Sequence, residues 1–129
     1  MGDRANIKVV QSAGNIWFYT HWRGYCLPEI LRESLAKKES WYDEIYLAAT
    51  IFSEMTKRQV GDAIGISTTI QDNERPILVV DVDNQTVRIE TDRGADDTEY
   101  PARFSFAQYV ALGEATWGCF QGPIERGQP

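Results

Sequence analysis

The stretch Pro76-Ile77-Leu78-Val79-Val80-Asp81-Val82-Asp83-Asn84-Gln85-Thr86-Val87-Arg88-Ile89-Glu90 carries the reading on which the fold turns. Ile77 to Val80 form an unbroken apolar run too short for a helix, the pattern of a central strand covered on both faces. Pro76 opens it at a position that gives up no ladder donor. Asp83, Asn84 and Gln85 have turn chemistry, after which Val87 and Ile89 alternate with Arg88 and Glu90 as a second strand. A buried hairpin of this kind needs a layer of helices to cover it.

That layer lies upstream. Ser40 reads as an N-cap with Asp43 in a capping-box position, and Trp41, Ile45, Ala48, Phe52 and Met55 recur along one helical face. Lys57 and Arg58 suit the negative end of its dipole, and Gly61 can end it. An earlier helix opens with Pro28, carries Leu27, Ile30, Leu31 and Leu35 as its apolar stripe, and places Glu33 one turn before Lys37 for an ion pair. Residues 5–11 alternate as a strand, Ser12, Ala13, Gly14 and Asn15 turn the chain, and residues 16–22 form the returning strand. Ile64, Ile66, Thr68 and Ile70 alternate as a third strand, and residues 71–75 make the turn before Pro76. Downstream, residues 92–99 read as an acidic loop. Ser105 caps a last short helix with Phe106, Tyr109 and Val110, closed by Gly113.

The expected order is β-β-α-α-β-β-β-α: a single α+β domain over residues 1–120, with an antiparallel sheet of about five strands and two helices packed on one face. The last helix covers either an edge or the other face. The Gly- and Pro-containing residues 121–129 read as a flexible C-terminal tail.

Composition agrees with one soluble domain. The chain has 129 residues, 43% of them hydrophobic and 25% charged, which excludes disorder. No apolar run approaches the roughly 18 residues of a membrane span, and the first residues do not resemble a signal peptide. Asn6 stands where a myristoylation signal wants Ser or Thr. Two cysteines, Cys26 and Cys119, are too few for a disulfide framework, so a reduced, cytoplasmic protein is expected. Residues 1–64 hold eight basic and eight acidic side chains, whereas 65–129 hold five and eleven; the net charge of -6 lies in the second half. Such a balance disfavours direct nucleic-acid binding, which needs Lys and Arg against phosphates.

The most unusual stretch runs from Asn15 through Trp17, Phe18, Tyr19, His21, Trp22 and Arg23 to Cys26. Extended, it turns Ile16, Phe18, Thr20 and Trp22 one way and Trp17, Tyr19 and His21 the other, with Arg23 continuing the second face. Aromatic rings beside an imidazole and a guanidinium suit stacking on a nucleobase-like plane. The same strand also fits a doubly buried core position, or an interface between copies of the chain. Ser67, Thr68 and Thr69, with Asp72, Asn73, Glu74 and Arg75 at the strand's end, would complete a pocket with His21 if their strand lies beside this one.

Other chemistry is weaker in the pattern. Cys26, just before a helix start, and His21 suggest a thiol and its base, the alternative of a small cysteine-dependent enzyme. With His21 the sole histidine, a multi-histidine metal site is excluded. The segment from Asp81 begins like a calcium loop, but Thr86 replaces the required Gly and Asp92 the terminal Glu. Residues 61–65 have Gly at both ends yet lack the spacing and Lys of a phosphate loop. No cofactor is expected.

Gly2-Asp3-Arg4-Ala5-Asn6, Phe18-Tyr19-Thr20-His21-Trp22 followed by Leu27-Pro28, and Gly65-Ile66-Ser67-Thr68-Thr69 with Asp72-Asn73-Glu74 and Pro76 resemble a small uncharacterised family of bacterial, prophage and phage genomes. The resemblance spans residues 2–82 and brings no activity with it. It implies a phage or prophage accessory protein of the anti-defence type, which acts by binding a host protein or by sequestering a small signalling molecule. The expectation is therefore a non-catalytic binding protein whose contact residues are Trp17, Tyr19, His21, Arg23, Ser67 and Thr69. Its partner would be a host protein or a nucleotide-like small molecule, and self-association stays open. The acidic residues between Asp81 and Glu99 raise a third reading, an acidic nucleic-acid mimic.

Overall fold

A computed structural model describes residues 2–12, 14–58, 63–90 and 103–113. Asp92, Asp96, Asp97, Glu99, Gly61, Cys119 and the expected tail 121–129 lie outside the described residues. The elements are β1 (Ala5–Gln11), β2 (Gly14–Thr20), a 3-10 turn (Gly24–Cys26), α1 (Leu27–Ala36), α2 (Glu44–Arg58), β3 (Ile64–Ser67), β4 (Ile77–Asp81), β5 (Thr86–Glu90), β6 (Arg103–Ser105) and α3 (Phe106–Ala111). The fold is α+β, as the sequence pattern predicts, with a short sixth strand added before the last helix.

The sheet runs β3-β2-β1-β4-β5-β6. All neighbours are antiparallel except the central pair: β1 and β4 are parallel, with Ile7 beside Leu78 and Val9 beside Val80. A parallel neighbour needs a crossover, and α1 and α2 provide it. β4 is the central strand its apolar run announces, with Ile77, Leu78, Val79 and Val80 all buried. Alternation divides the sheet. Ile7, Val9, Phe18, Leu78, Val80, Val87 and Ile89 join one core with Leu31, Leu35, Leu47, Ile51 and Met55 of the helices. The intervening residues, among them Asn6, Lys8, Trp17, Tyr19, Ser67, Val79 and Arg88, belong to the second face.

α1 begins as expected, with Pro28 in its first turn. α3 carries a full capping box: Ser105 Oγ accepts from Gln108 N–H, and Ser105 N–H donates to Gln108 Oε1. It joins the α1 side of the sheet, where Phe106 and Tyr109 are buried and the Tyr109 hydroxyl donates to the Pro28 carbonyl at 2.8 Å. Gln85 holds φ 54° in the β4–β5 turn, accepts from Phe106 N–H at 3.0 Å and donates to the Trp41 carbonyl at 3.3 Å, tying that turn to both helix starts.

α2 departs from its expected description in two ways. Its cap is Asp43, whose Oδ1 accepts from Ile45 N–H at 3.1 Å, while Ser40 and Trp41 precede the helix. Its buried face is Leu47, Ile51 and Met55, flanked by Ala48 and Phe52, and Ile45 is 71% exposed. The helix is apolar around more than half its circumference, so periodicity alone selects a face rotated from the true one. Phe52 holds the place expected of it, its ring 5.4 Å from that of Phe18 on β2. The expected Glu33–Lys37 pair is also replaced. Glu33 takes Arg58, and Lys37 crosses to Glu54 at 2.7 Å, where Lys57 also binds at 3.0 Å.

Ile51→Ala should cost about 2–5 kcal/mol and Ile45→Ala less than about 0.5 kcal/mol in urea unfolding. The reverse order would restore the face that periodicity selects. Glu54 supplies an acid-stability test. Its hydrogen bond to Lys37, seconded by Lys57, holds its carboxyl below the usual range despite burial. A group whose folded pKa is depressed contributes stability above its unfolded pKa and loses it as pH falls through the folded value. The native protein should therefore lose its margin over Glu54→Gln as pH drops through and below the ordinary glutamate range, read as converging thermal midpoints.

Candidate functional site

The site is assembled at the beginning of β1. Asp3 N–H donates to the His21 carbonyl at 2.8 Å, and the Asp3 carbonyl accepts from Gly24 N–H at 2.7 Å. The Asp3 carboxylate takes Arg75 in a two-pronged bond, Nε at 2.5 Å and Nη2 at 3.2 Å, and Tyr25 N–H at 3.1 Å. Planar two-point pairing of this kind fixes orientation as well as distance. Arg4 and Glu74 exchange further bonds, Glu74 N–H to the Arg4 carbonyl and Arg4 N–H to Glu74 Oε1, both at 2.8 Å. Asn6, fully buried, donates to the carbonyls of Gln71 and Asp72 and to Asn73 Oδ1, and accepts from Gln71 N–H. A buried amide with this many partners satisfies the polar groups of a loop that would otherwise be open. The three sequence motifs are thus one cluster. Residues 2–6 form its centre, 18–22 one wall and 71–75 the other.

Trp17 and Tyr19 lie along the same side of β2, on the second face, and His21, just past the strand's end, bonds back to Tyr19. The Tyr19 hydroxyl and His21 Nδ1 share a hydrogen bond of 2.9 Å, whose donor depends on the imidazole tautomer. Burial pushes the Tyr19 phenol above its ordinary value, opposed by Arg4 and reinforced by Asp72 and Glu74, so it remains a neutral hydroxyl. The His21 ring meets Trp22 edge-on, centroids 4.4 Å apart at 73°. Lys8 Nζ stands 5.2 Å from the Trp17 ring centroid and 3.5 Å from Glu90 Oε1. Arg88 in turn binds Glu90 at 3.0 Å and approaches Asp81 at 3.9 Å.

Arg4 faces His21 across β1 and β2. A Cβ built on Gly2 would lie 3.0 Å from Arg4 Nε and 3.2 Å from His21 Nε2, so both nitrogens border the same small space. Arg4 Nη1 reaches Asp72 Oδ2 at 3.3 Å, while Arg4 Nε is buried without a hydrogen-bond partner among the described residues. A buried donor left unpaired costs free energy that an acceptor would return.

The sequence places part of this correctly. β3 does lie beside β2, with Ser67 opposite Trp17, and Ser67 Oγ accepts from Thr69 N–H at 3.1 Å and from Gln71 Nε2 at 3.0 Å. Arg23 is the departure. β2 ends at Thr20, and Arg23 turns into the 3-10 segment with its N–H on Thr20 Oγ1 at 3.2 Å, so it does not continue the strand face. His21 and Trp22 likewise follow the strand and do not extend it. Of the proposed thiol and base, His21 is engaged by the Tyr19 hydroxyl, and Cys26 lies in the 3-10 turn that precedes α1. The apparent calcium loop is a turn whose Asp81 carboxylate binds Asn84 N–H and Nδ2. Sequence reasoning missed Asp3, Arg4 and Asn6 as site-builders, while Arg75 belongs to the polar stretch it placed at the pocket. A shallow depression lined by Ile70, Gln71, Asp72 and Asn73 opens beside them.

Gly24 is required by contact. A Cβ there would sit 2.7 Å from both the Asp3 carbonyl oxygen and Asp3 Oδ1, whereas one on Gly65 meets nothing within 4 Å. Gly24→Ala should therefore destabilise by about 1–3 kcal/mol, and Gly65→Ala should remain within about 0.5 kcal/mol of the native protein in the same urea titration.

Comparison of the chain with protein-family models, with curated proteins and with solved structures gives no match.

Proposed function

We propose that the chain is a binding protein, not an enzyme, and that it holds a planar, anionic small molecule of nucleotide type on the second face of the sheet. The observation that carries this reading is a set of groups: Trp17 and Tyr19 along β2, His21 bonded to Tyr19 just beyond it, and the buried Arg4 Nε, unpaired among the described residues, beside Gly2 with His21 Nε2. Rings supply a stacking surface, and a guanidinium and an imidazole supply donors for an anion. Ser67 and Thr69 border the Trp17 end with hydroxyls. The resemblance to phage and prophage proteins adds a biological setting, in which sequestering a host signalling nucleotide is an anti-defence function.

A host protein as partner is the second reading, and a separate observation favours it. Tyr42, Ile45 and Tyr46 at the start of α2 are 85%, 71% and 64% exposed, a cluster of large apolar side chains of the kind that contacts use. The acidic-mimic reading gains less support. Asp81 and Glu90 face Arg88, and Glu90 also faces Lys8, so these carboxylates do not present a bare row of negative charge. The cysteine-enzyme reading needs Cys26 and His21 to act together, and His21 is engaged by Tyr19.

Thermal unfolding with a panel of nucleoside mono-, di- and cyclic phosphates tests the proposal. A midpoint increase with at least one of them is expected in the native protein. Trp17→Ala and His21→Ala should each lose about 1–3 kcal/mol of that affinity while remaining folded. No shift with any nucleotide, together with loss of protein-partner capture in Tyr42→Ala/Tyr46→Ala, would transfer the function to the α2 surface.

A further inference from the structure

The two edges of the sheet are protected unequally. β6 is three residues long, carries exposed Arg103 and passes directly into α3. β3 has none of these features. From Ala63 to Gln71 the sequence contains no charged residue and no proline, and such edges are the ones that accept another strand.

The register shows which groups are open. His21 N–H donates to the Ala63 carbonyl at 2.9 Å, and Gly65 and Ser67 stand opposite Tyr19 and Trp17. Antiparallel ladders alternate, so residues 63, 65 and 67 turn their main-chain groups toward β2, and Ile64 and Ile66 turn theirs outward. Their side chains share the helix-covered face with Phe18, the partner of Ile66 in the register, yet Ile66 is 53% exposed. The helix layer reaches β2 through Phe52 on Phe18, and Ile64 packs against that core, while among the described residues Ile66 is left open.

We propose that β3 is a self-association edge, pairing antiparallel with β3 of a second copy about a twofold axis through Gly65. In that register Ile64 of each copy meets Ile66 of the other. The outward N–H and C=O groups form two reciprocal pairs of main-chain hydrogen bonds, and both isoleucines of each copy come together on one face. Gly65 meets its own copy on the other face, where the absence of a side chain admits the close spacing of a non-hydrogen-bonded pair. Charge selects this occupant. Two copies, each of net charge -6, meet here without setting like charges against each other, because residues 63–71 carry none. A charged peptide would find nothing complementary on it. The pairing joins the two sheets into one and puts both Trp17 rows on the same side. It does not depend on what those rows bind.

Sedimentation velocity across a concentration series and oxidative cross-linking of Gly65→Cys provide the test. The native chain should show a concentration-dependent monomer–dimer equilibrium. Ile66→Lys, at an exposed position where folding is preserved, should weaken the dimer at least about tenfold. Gly65→Cys should form an intermolecular disulfide joining the two copies at that position, mapped by peptide mass spectrometry, while Arg103→Cys on the opposite edge should not. A chain that stays monomeric at its highest soluble concentration would overturn the proposal. So would a dimer that Ile66→Lys leaves intact, or equal cross-linking at both edges. A thermal midpoint for each variant distinguishes lost pairing from lost folding.

Discussion

The parallel pairing of β1 with β4 is the constraint from which the rest of the architecture follows. β1 has one neighbour supplied by a local hairpin and another supplied from far along the chain, with Ile7 beside Leu78. Closing that pair commits the intervening chain to a crossover, and α1 and α2 fill it over the face where Ile7, Val9, Leu78 and Val80 are buried. It also brings the connection that precedes β4 back across the start of β1. Residues 71–75 must therefore find hydrogen-bond partners there, and Asp3, Arg4 and Asn6 provide them. The polar clasp at the candidate site is a consequence of strand order.

What the sequence made legible divides along the same line. Local signals read well: the apolar run of β4, Pro28 in the first turn of α1, and Ser105 with Gln108 at the start of α3 each act within one element. The choice of β4 as the neighbour of β1 leaves no local trace, because a parallel pair and an antiparallel pair can show the same apolar alternation. Asn6 is the sharpest case. A polar residue alternating with apolar ones, as Asn6 does, looks like a surface position, yet its amide is buried under a loop about 65 residues further along the chain. Arg23 failed for the opposite reason. Strand alternation was extended past Thr20, where the chain turns instead into the 3-10 segment.

α2 shows how a strong periodic signal can select a face rotated from the buried one: Met55 is buried and Trp41, Ala48 and Phe52 pack against the core as expected, but Ile45 faces outward. Ile45 and Phe52 lie on one line of the helix, Leu47, Ile51 and Met55 on another, and both lines are apolar. Only the crossing of α2 over the sheet decides between them, and that crossing is set by α1 and by the charge cluster of Lys37, Glu54 and Lys57. Nearly buried Glu54, held ionised by two ammonium groups, fixes α2 against the end of α1, since breaking such a set leaves an uncompensated charge. The consequence is that Tyr42, Ile45 and Tyr46 face outward, on a surface the folding of this chain does not use.

The second face of the sheet has a different economy. Its rings and ions are already engaged, Tyr19 with His21, Lys8 with Trp17 and Glu90, Arg88 with Glu90 and Asp81. A molecule that binds there gains little by offering bonds these groups already have, because exchange returns only the difference. It gains by stacking on rings whose rotamers are already restricted, which lowers the entropy lost on binding, and by accepting from Arg4 Nε, a buried donor left unpaired among the described residues. Arg4 is held at its main chain by Glu74, and its guanidinium reaches Asp72 through Nη1. Under the proposed function, an unsatisfied donor near the aromatic residues would favour a flat ligand with an acceptor at one end. That requirement is narrower than any reading of the aromatic strand alone.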